Sequence, residues 1–201
     1  MYRPAWVRPE DASQTWSLIE RHPFATLIGN GPSRILATHL PLLRASEQAL
    51  EGHMAKANPQ WQALESSPDV LAVFQTASAY ISPAWYADEP DVPTWNYGAI
   101  HVYGKFVRTD GAATAGILQR AVQRFSRDGW SLDALAPELV AELGRGVVGF
   151  NIEITCVEVA LKMSQDKTEA DRDRVRNALA SASAPDASAV AALMAATRSR
   201  R

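Results

Sequence analysis

Apolar residues run along this chain in short blocks set off by turn-forming residues, and most of the blocks have the period of a β-strand. Phe24 to Gly29 and Ile35 to Leu43 flank Asn30-Gly31-Pro32-Ser33, a spacer that tolerates turn conformations, so a β-hairpin is predicted there. A third strand, about Ala49 to Met54, follows the polar turn Ala45-Ser46-Glu47, and Val70 to Thr76 reads as a buried strand. From Gly98 to Val107, Ile100, Val102 and Phe106 alternate with His101, Tyr103 and Lys105. A last long strand begins near Val147, where Val148, Phe150, Ile152 and Ile154 alternate with Gly149, Asn151, Glu153 and Thr155.

Helices are predicted between these strands. Asp11 can cap one that runs to Arg21, with Trp16 and Ile19 inward and Pro23 stopping it. Asn58 caps a short one through Leu64, with Pro59 at its first position. Two more are expected at about Ala112 to Arg127 and Asp133 to Leu143, and Ser82 to Pro93 is a proline-rich, acidic loop. Six or so short antiparallel strands with inserted helices make a mainly β, α+β fold, closed or nearly closed into a barrel. The long β-α-β alternation of a doubly wound sheet is absent. One domain over residues 1–180 is expected, and 181–201 is an Ala/Ser-rich tail, weakly helical or mobile.

Composition narrows the setting. The 201 residues, 47% hydrophobic and 21% charged, suffice for one sizeable core. The lone cysteine, Cys156, excludes an intrachain disulfide and reads as a buried strand thiol, which fits a reducing compartment. With neither a signal peptide nor an apolar membrane-length segment, a cytoplasmic location is expected. A net charge of −2 offers no global support for a DNA partner, since DNA is bound mainly through Lys and Arg.

Chemistry-bearing residues crowd into four clusters: Ala37-Thr38-His39-Leu40-Pro41; Glu51 to Trp61; Tyr80 to Tyr86 continuing through Val92 to Tyr97; and Leu161 to Asp166. In the second, Lys56 precedes the predicted helix start, where free backbone N–H groups and an ammonium favour an anion such as a phosphate monoester. A solvated Lys56 beside a simple Asn58 cap is the competing reading. Tyr80, Trp85, Tyr86, Trp95 and Tyr97 form either a ring-binding surface, a dimer interface or a satellite apolar cluster. His39, His53 and His101 lack metal-ligand spacing, so no metal site is assigned. Nucleophile elbows, phosphate-binding P-loops and dinucleotide glycine motifs are absent.

The same clusters resemble the signature blocks of the PaiB family of FMN-binding split-barrel proteins, often labelled negative transcriptional regulators. The resemblance spans about Met1 to Leu179. It is carried by Met1-Tyr2-Arg3-Pro4, His22 to Leu27, Ala37 to Leu42, Gly52 to Pro59, Tyr80 to Tyr86, Val92 to Tyr97, His101-Val102-Tyr103-Gly104, Val148-Gly149-Phe150, Lys162-Met163-Ser164-Gln165 and Asp171-Arg172. It implies a six-stranded antiparallel split β-barrel of the FMN-binding type with peripheral helices, a homodimer with FMN at its interface.

In related split-barrel flavoenzymes such as pyridoxamine-phosphate oxidases, a strand followed by a Ser/Arg/Lys segment grips the FMN phosphate. His53 to Asn58 stands at the comparable place. The implied FMN-binding set is Thr38, His39, His53, Met54, Lys56, Asn58, Tyr80, Ser82, Trp95, Asn96, Lys162, Ser164 and Gln165, with no catalytic residue assigned. The sequence departs from the family at the acidic stretch Ala87-Asp88-Glu89-Pro90-Asp91, where a lysine is frequent, and at Asp166, where asparagine is usual. The implied function is flavin-dependent redox chemistry or flavin sensing. The alternatives are a negative transcriptional regulator that binds DNA, with flavin as ligand or none, and a haem-binding split barrel.

Overall fold

The structure, a computed structural model, describes residues 1–8, 12–87 and 92–200. The expected cap at Asp11 and the acidic stretch from Asp88 to Asp91 lie outside the described residues. Among the described residues, seven strands are formed: β1 (Phe24–Asn30), β2 (Ile35–Pro41), β3 (Leu43–Arg44), β4 (Ala49–Ala55), β5 (Asp69–Ile81), β6 (Thr94–Arg108) and β7 (Val147–Lys162). Six α-helices accompany them there: α1 (Ala12–Arg21), α2 (Gln60–Ser66), α3 (Gly111–Phe125), α4 (Pro137–Gly144), α5 (Glu169–Ser181) and α6 (Ala187–Ala195).

The strands form one mainly antiparallel sheet in the order β2-β1-β5-β6-β7-β4-β3. The expectation of six strands is corrected to seven, in a sheet that does not close by hydrogen bonding between its edges. The extra strand arises where the run Ile35 to Leu43 breaks. Leu42 is fully buried and donates its N–H to the Pro23 carbonyl at 2.9 Å, leaving the ladder. Leu43 and Arg44 then pair with Glu51 and Leu50 of β4. The two edge strands are therefore joined through a single residue.

The chain divides into two compact units. The first contains Met1–His22, Gln75–Ile100 and Glu158–Arg201. Its core joins Ala79, Ile81 and Met163 to Val175 and Leu179 of α5 and Ala187, Val190 and Met194 of α6. The Ala/Ser-rich segment thus contributes a helix whose apolar stripe is buried. At its end, the Arg172 guanidinium, wholly shielded from solvent, donates to the carbonyls of Met163 (2.6 Å), Met194 (2.9 Å) and Thr197 (2.6 Å). The Met194 carbonyl, near the C-terminal end of α6, also accepts the Thr197 N–H and hydroxyl, so Arg172 completes a set of bonds that closes the helix end. Beyond it, Ser199 N–H donates to Glu169 and the Arg200 side chain donates to the Ala5 and Arg8 carbonyls.

The second unit contains Pro23–Phe74 and His101–Val157. Leu27, Leu50, Phe74, Val102, Phe106, Phe150 and Ile152 fill it, with Leu64 of α2. Phe106 and Phe150 meet at 5.0 Å between ring centroids, within the range of favourable aromatic pairs. In β7, Val148, Gly149, Phe150 and Ile152 are buried early in the strand and Val159, Ala160 and Leu161 late in it, with no buried residue in the stretch from Glu153 to Glu158. Cys156 falls in that stretch and is exposed, which corrects the expectation of a buried thiol.

Candidate functional site

The sequence-predicted site residues fall into two groups, one in each unit. In the second unit the key element is the junction between β4 and α2. Gln60, 2% exposed, inserts its side-chain amide between two strands and donates to the carbonyls of Leu27 (3.1 Å) and Leu36 (3.4 Å). Its Oε1 accepts from the Thr38 hydroxyl, and the Thr38 oxygen accepts from Asn58 Nδ2 at 2.8 Å. Asn58 Oδ1 closes the ring by accepting the Gln60 backbone N–H at 2.9 Å. Thr38 and Asn58 therefore hold the backbone of the junction.

Lys56 rides on this framework. Its N–H donates to the Gly146 carbonyl at 2.8 Å and its own carbonyl accepts Trp61 Nε1–H at 2.9 Å. Arg108 lies over the Trp61 ring at 5.4 Å, which steadies the indole from its other side. Both backbone polar groups of Lys56 are thus pinned, while its ammonium is exposed with no ion-pair partner among the described residues. Helix α2 begins at Gln60 and has only seven residues, and its first N–H is already taken by Asn58. Its dipole is correspondingly small, so the positive charge available at the junction is that of Lys56 itself.

His53 and Met54 lie on β4 opposite Gly149 and Val148. Met54 is buried, and burial of the half-buried His53 lowers its imidazole pKa, which favours the neutral ring. His39 lies on β2 opposite Thr26, with Nδ1 and the Thr26 hydroxyl 3.0 Å apart, and its ring stacks on the exposed Phe24.

In the first unit, Tyr80 and Trp95 form an exposed edge-to-face pair, 6.3 Å between centroids. Ser82 accepts the Ala84 N–H and caps the short turn Pro83–Trp85. Lys162 donates to the Thr94 hydroxyl. Asn96 is fully buried, and its Nδ2 donates to Ser164 Oγ at 3.0 Å. Ser164 adopts a left-handed conformation, φ 57°, and Gln165 Oε1 turns back to accept the Met163 N–H at 2.7 Å. Asn96, Ser164 and Gln165 are thus internally partnered and shape the turn that leads from β7 into α5.

Sequence reasoning did not single out Gln60 or Arg172 as site or framework residues, although both lie inside blocks it recognised. For Gln60 the readable signal was an amide directly after Asn58-Pro59, on the side of α2 that also carries the buried Leu64.

A mainly antiparallel sheet with peripheral helices is the fold expected of a split barrel. The fold is shared with solved structures. The flavocytochrome Anf3 from Azotobacter vinelandii superposes with a TM-score of 0.65 at 17% identity, over 80% of this chain and 72% of that one. An FAD and haem binding protein from Mycobacterium smegmatis gives 0.60 at 15% identity, over 81% and 77%. Residues 1–156 match the family described as "Putative FMN-binding domain", and the chain belongs to that family. It is also 36% identical to the protease synthase and sporulation protein PAI 2 of Bacillus subtilis (strain 168), over 96% of each chain. Among the described residues, no helix is long and apolar enough to cross a membrane.

Proposed function

We propose that this protein binds FMN at the β4–α2 junction of its second unit and serves as a flavin-dependent redox or flavin-sensing protein. The observation that carries this reading is Lys56: a cation without a counter-charge among the described residues, on backbone pinned at both its N–H and its carbonyl. A preset ammonium of this kind suits a phosphate monoester, because little ordering remains to be done on binding. Family membership supplies the choice of FMN among phosphate esters. Lys56 would hold the phosphate, Thr38, Asn58 and Gln60 would keep the junction in place, and neutral His53 would offer a hydrogen-bonding edge. When bound, FMN supplies the redox chemistry, and the protein contributes binding and orientation.

We also propose a homodimer. Tyr2, Tyr80, Val92 and Trp95 of the first unit are large apolar residues left between 46% and 88% exposed, a pattern that favours cover by a second copy of the chain. The test combines the visible spectrum of the purified protein, a titration with FMN and a gel-filtration mass. Flavin bands, saturable FMN binding that weakens at least tenfold in Lys56→Ala, and a mass of two chains are expected. No FMN binding, or unchanged affinity in Lys56→Ala, refutes the assignment. A Soret band in place of flavin bands replaces it with haem.

A further inference from the structure

Two locally unfavourable choices converge on one guanidinium in the second unit. Glu51 is 3% exposed, and burying a carboxylate is costly unless it is fully paired. Arg120 of α3 provides that pairing, with Nε donating to Oε1 and Nη2 to Oε2, each at 2.7 Å. Glycine is a poor helix former, yet Gly116 sits one turn earlier in the same helix. A Cβ at Gly116 would lie 3.1 Å from Arg120 Nη1, so the missing side chain leaves room for the guanidinium to lie flat.

Arg120 and Glu51 line a cavity of about 380 Å³ together with Arg44, Thr109, Ile117 and Asn151. Its size is within the range of small-molecule sites, about 300–1,000 Å³. None of the residues assigned above to the flavin lines it.

We propose that this cavity is a second ligand site, for a small organic anion bearing a carboxylate or a phosphate monoester. A guanidinium carries five N–H donors, and Glu51 engages one edge of the fork. The remaining edge, with Nη1, has no protein hydrogen bond among the described residues and can take a second planar anion. Asn151, opposite Glu51 in the β4–β7 ladder, adds a side-chain amide that likewise bonds no protein group among the described residues. Arg44, itself ion-paired with Glu47 at 3.1 Å, adds a second guanidinium to the lining. Ile117 gives the cavity an apolar wall, which selects an organic anion over a bare inorganic one.

Calorimetric titration of the purified protein with succinate and, separately, with glycerol 3-phosphate tests the proposal. Saturable binding of at least one probe is expected, and the probe that binds tighter identifies the anionic group. Asn151→Leu should weaken it tenfold or more with the unfolding midpoint preserved. Gly116→Ala, which pushes on Arg120 without touching Glu51, should also weaken it. Lys56→Ala should leave it unchanged, which separates this site from the flavin junction. Failure of both probes to saturate by about 10 mM, which corresponds to binding too weak for a built site, overturns the proposal. So does binding that survives in Asn151→Leu and Gly116→Ala, or that disappears in Lys56→Ala.

Discussion

Replacing Gln60 with leucine tests whether the β4–α2 junction is held as described. The substitution keeps the approximate size of a side chain that is 2% exposed but removes every polar atom beyond Cγ. Three hydrogen bonds go: two from Nε2 to the Leu27 and Leu36 carbonyls, and one from the Thr38 hydroxyl to Oε1. At about 1 kcal/mol net for each neutral bond, the loss is about 3 kcal/mol. Burial of the apolar leucine offsets about 1 kcal/mol of that, leaving about 2 kcal/mol. For a chain of this length this lowers the thermal midpoint by about 5 °C. Circular dichroism melts and urea titrations give both numbers, with Gln62→Leu on the exposed side of α2 as the control.

The functional arm of the same experiment is FMN affinity. With its Gln60 acceptor gone, Thr38 is held less firmly, so Asn58 keeps its bond to the backbone N–H at position 60 but leans on a looser partner, and the backbone carrying Lys56 gains freedom. Ordering it again on binding should raise the FMN dissociation constant about tenfold. A stability change below about 0.5 kcal/mol would refute the account of the network. Lost stability with unchanged FMN affinity would leave the framework standing and remove its role in positioning Lys56.

Other outcomes follow from the same structure. Arg172→Met should destabilise the protein by about 3–5 kcal/mol in urea unfolding, because three carbonyls lose a buried charged donor; a loss under about 1 kcal/mol contradicts the assignment. Burial lowers the pKa of both His22 and His53, the former helped by Arg21, so the unfolded state binds more protons as pH falls below their ordinary value. Stability should therefore decline as pH falls below about 6.5, and a decline undiminished in the double variant His22→Gln/His53→Gln would count against this cause. A Cβ at Gly104 would stand 2.4 Å from the Glu153 carbonyl oxygen, so Gly104→Ala should cost about 2 kcal/mol or more and lower the thermal midpoint; an unchanged midpoint would mean that the two strands can separate without penalty.

The strand framework was legible because burial on one face writes a two-residue period into the sequence. The pattern located β1, β2, β4 and β6 to within a few residues, and the turn residues after Asn30 marked the hairpin correctly. It failed where one strand loses its buried face midway. Alternation from Val148 to Thr155 gave no warning that Thr155 and Cys156 would both be exposed, and Cys156 was misplaced for that reason. Helix α5 escaped notice because most of Glu169–Ser181 is polar and its buried side includes Asp171 and Arg172 beside Val175 and Leu179. Thr168, whose hydroxyl accepts the Asp171 N–H, was the available signal for its start.

At the candidate site, Lys56 and Asn58 were visible as residue types in a telling order. The fact that Asn58 and Thr38 point their polar atoms at the protein was not, because both partners arrive from distant points in the chain. Asn96 and Gln165 illustrate the same limit. They read as ligand candidates from their blocks, while their bonds are directed to Ser164 and to the Met163 backbone.

The spacing along β7 constrains how this protein can evolve. An insertion or deletion of one residue between Glu153 and Glu158 would exchange the faces taken by Val159 and Leu161 with that taken by Ala160, forcing large side chains into the space of a small one where all three are buried. Loop-like tolerance to length change is therefore absent from a stretch whose side chains, Cys156 among them, look unconstrained by burial. Substitutions there should be freely accepted, but changes in spacing should not. Lineages descended from this chain ought to vary in the letters of that segment while keeping their number.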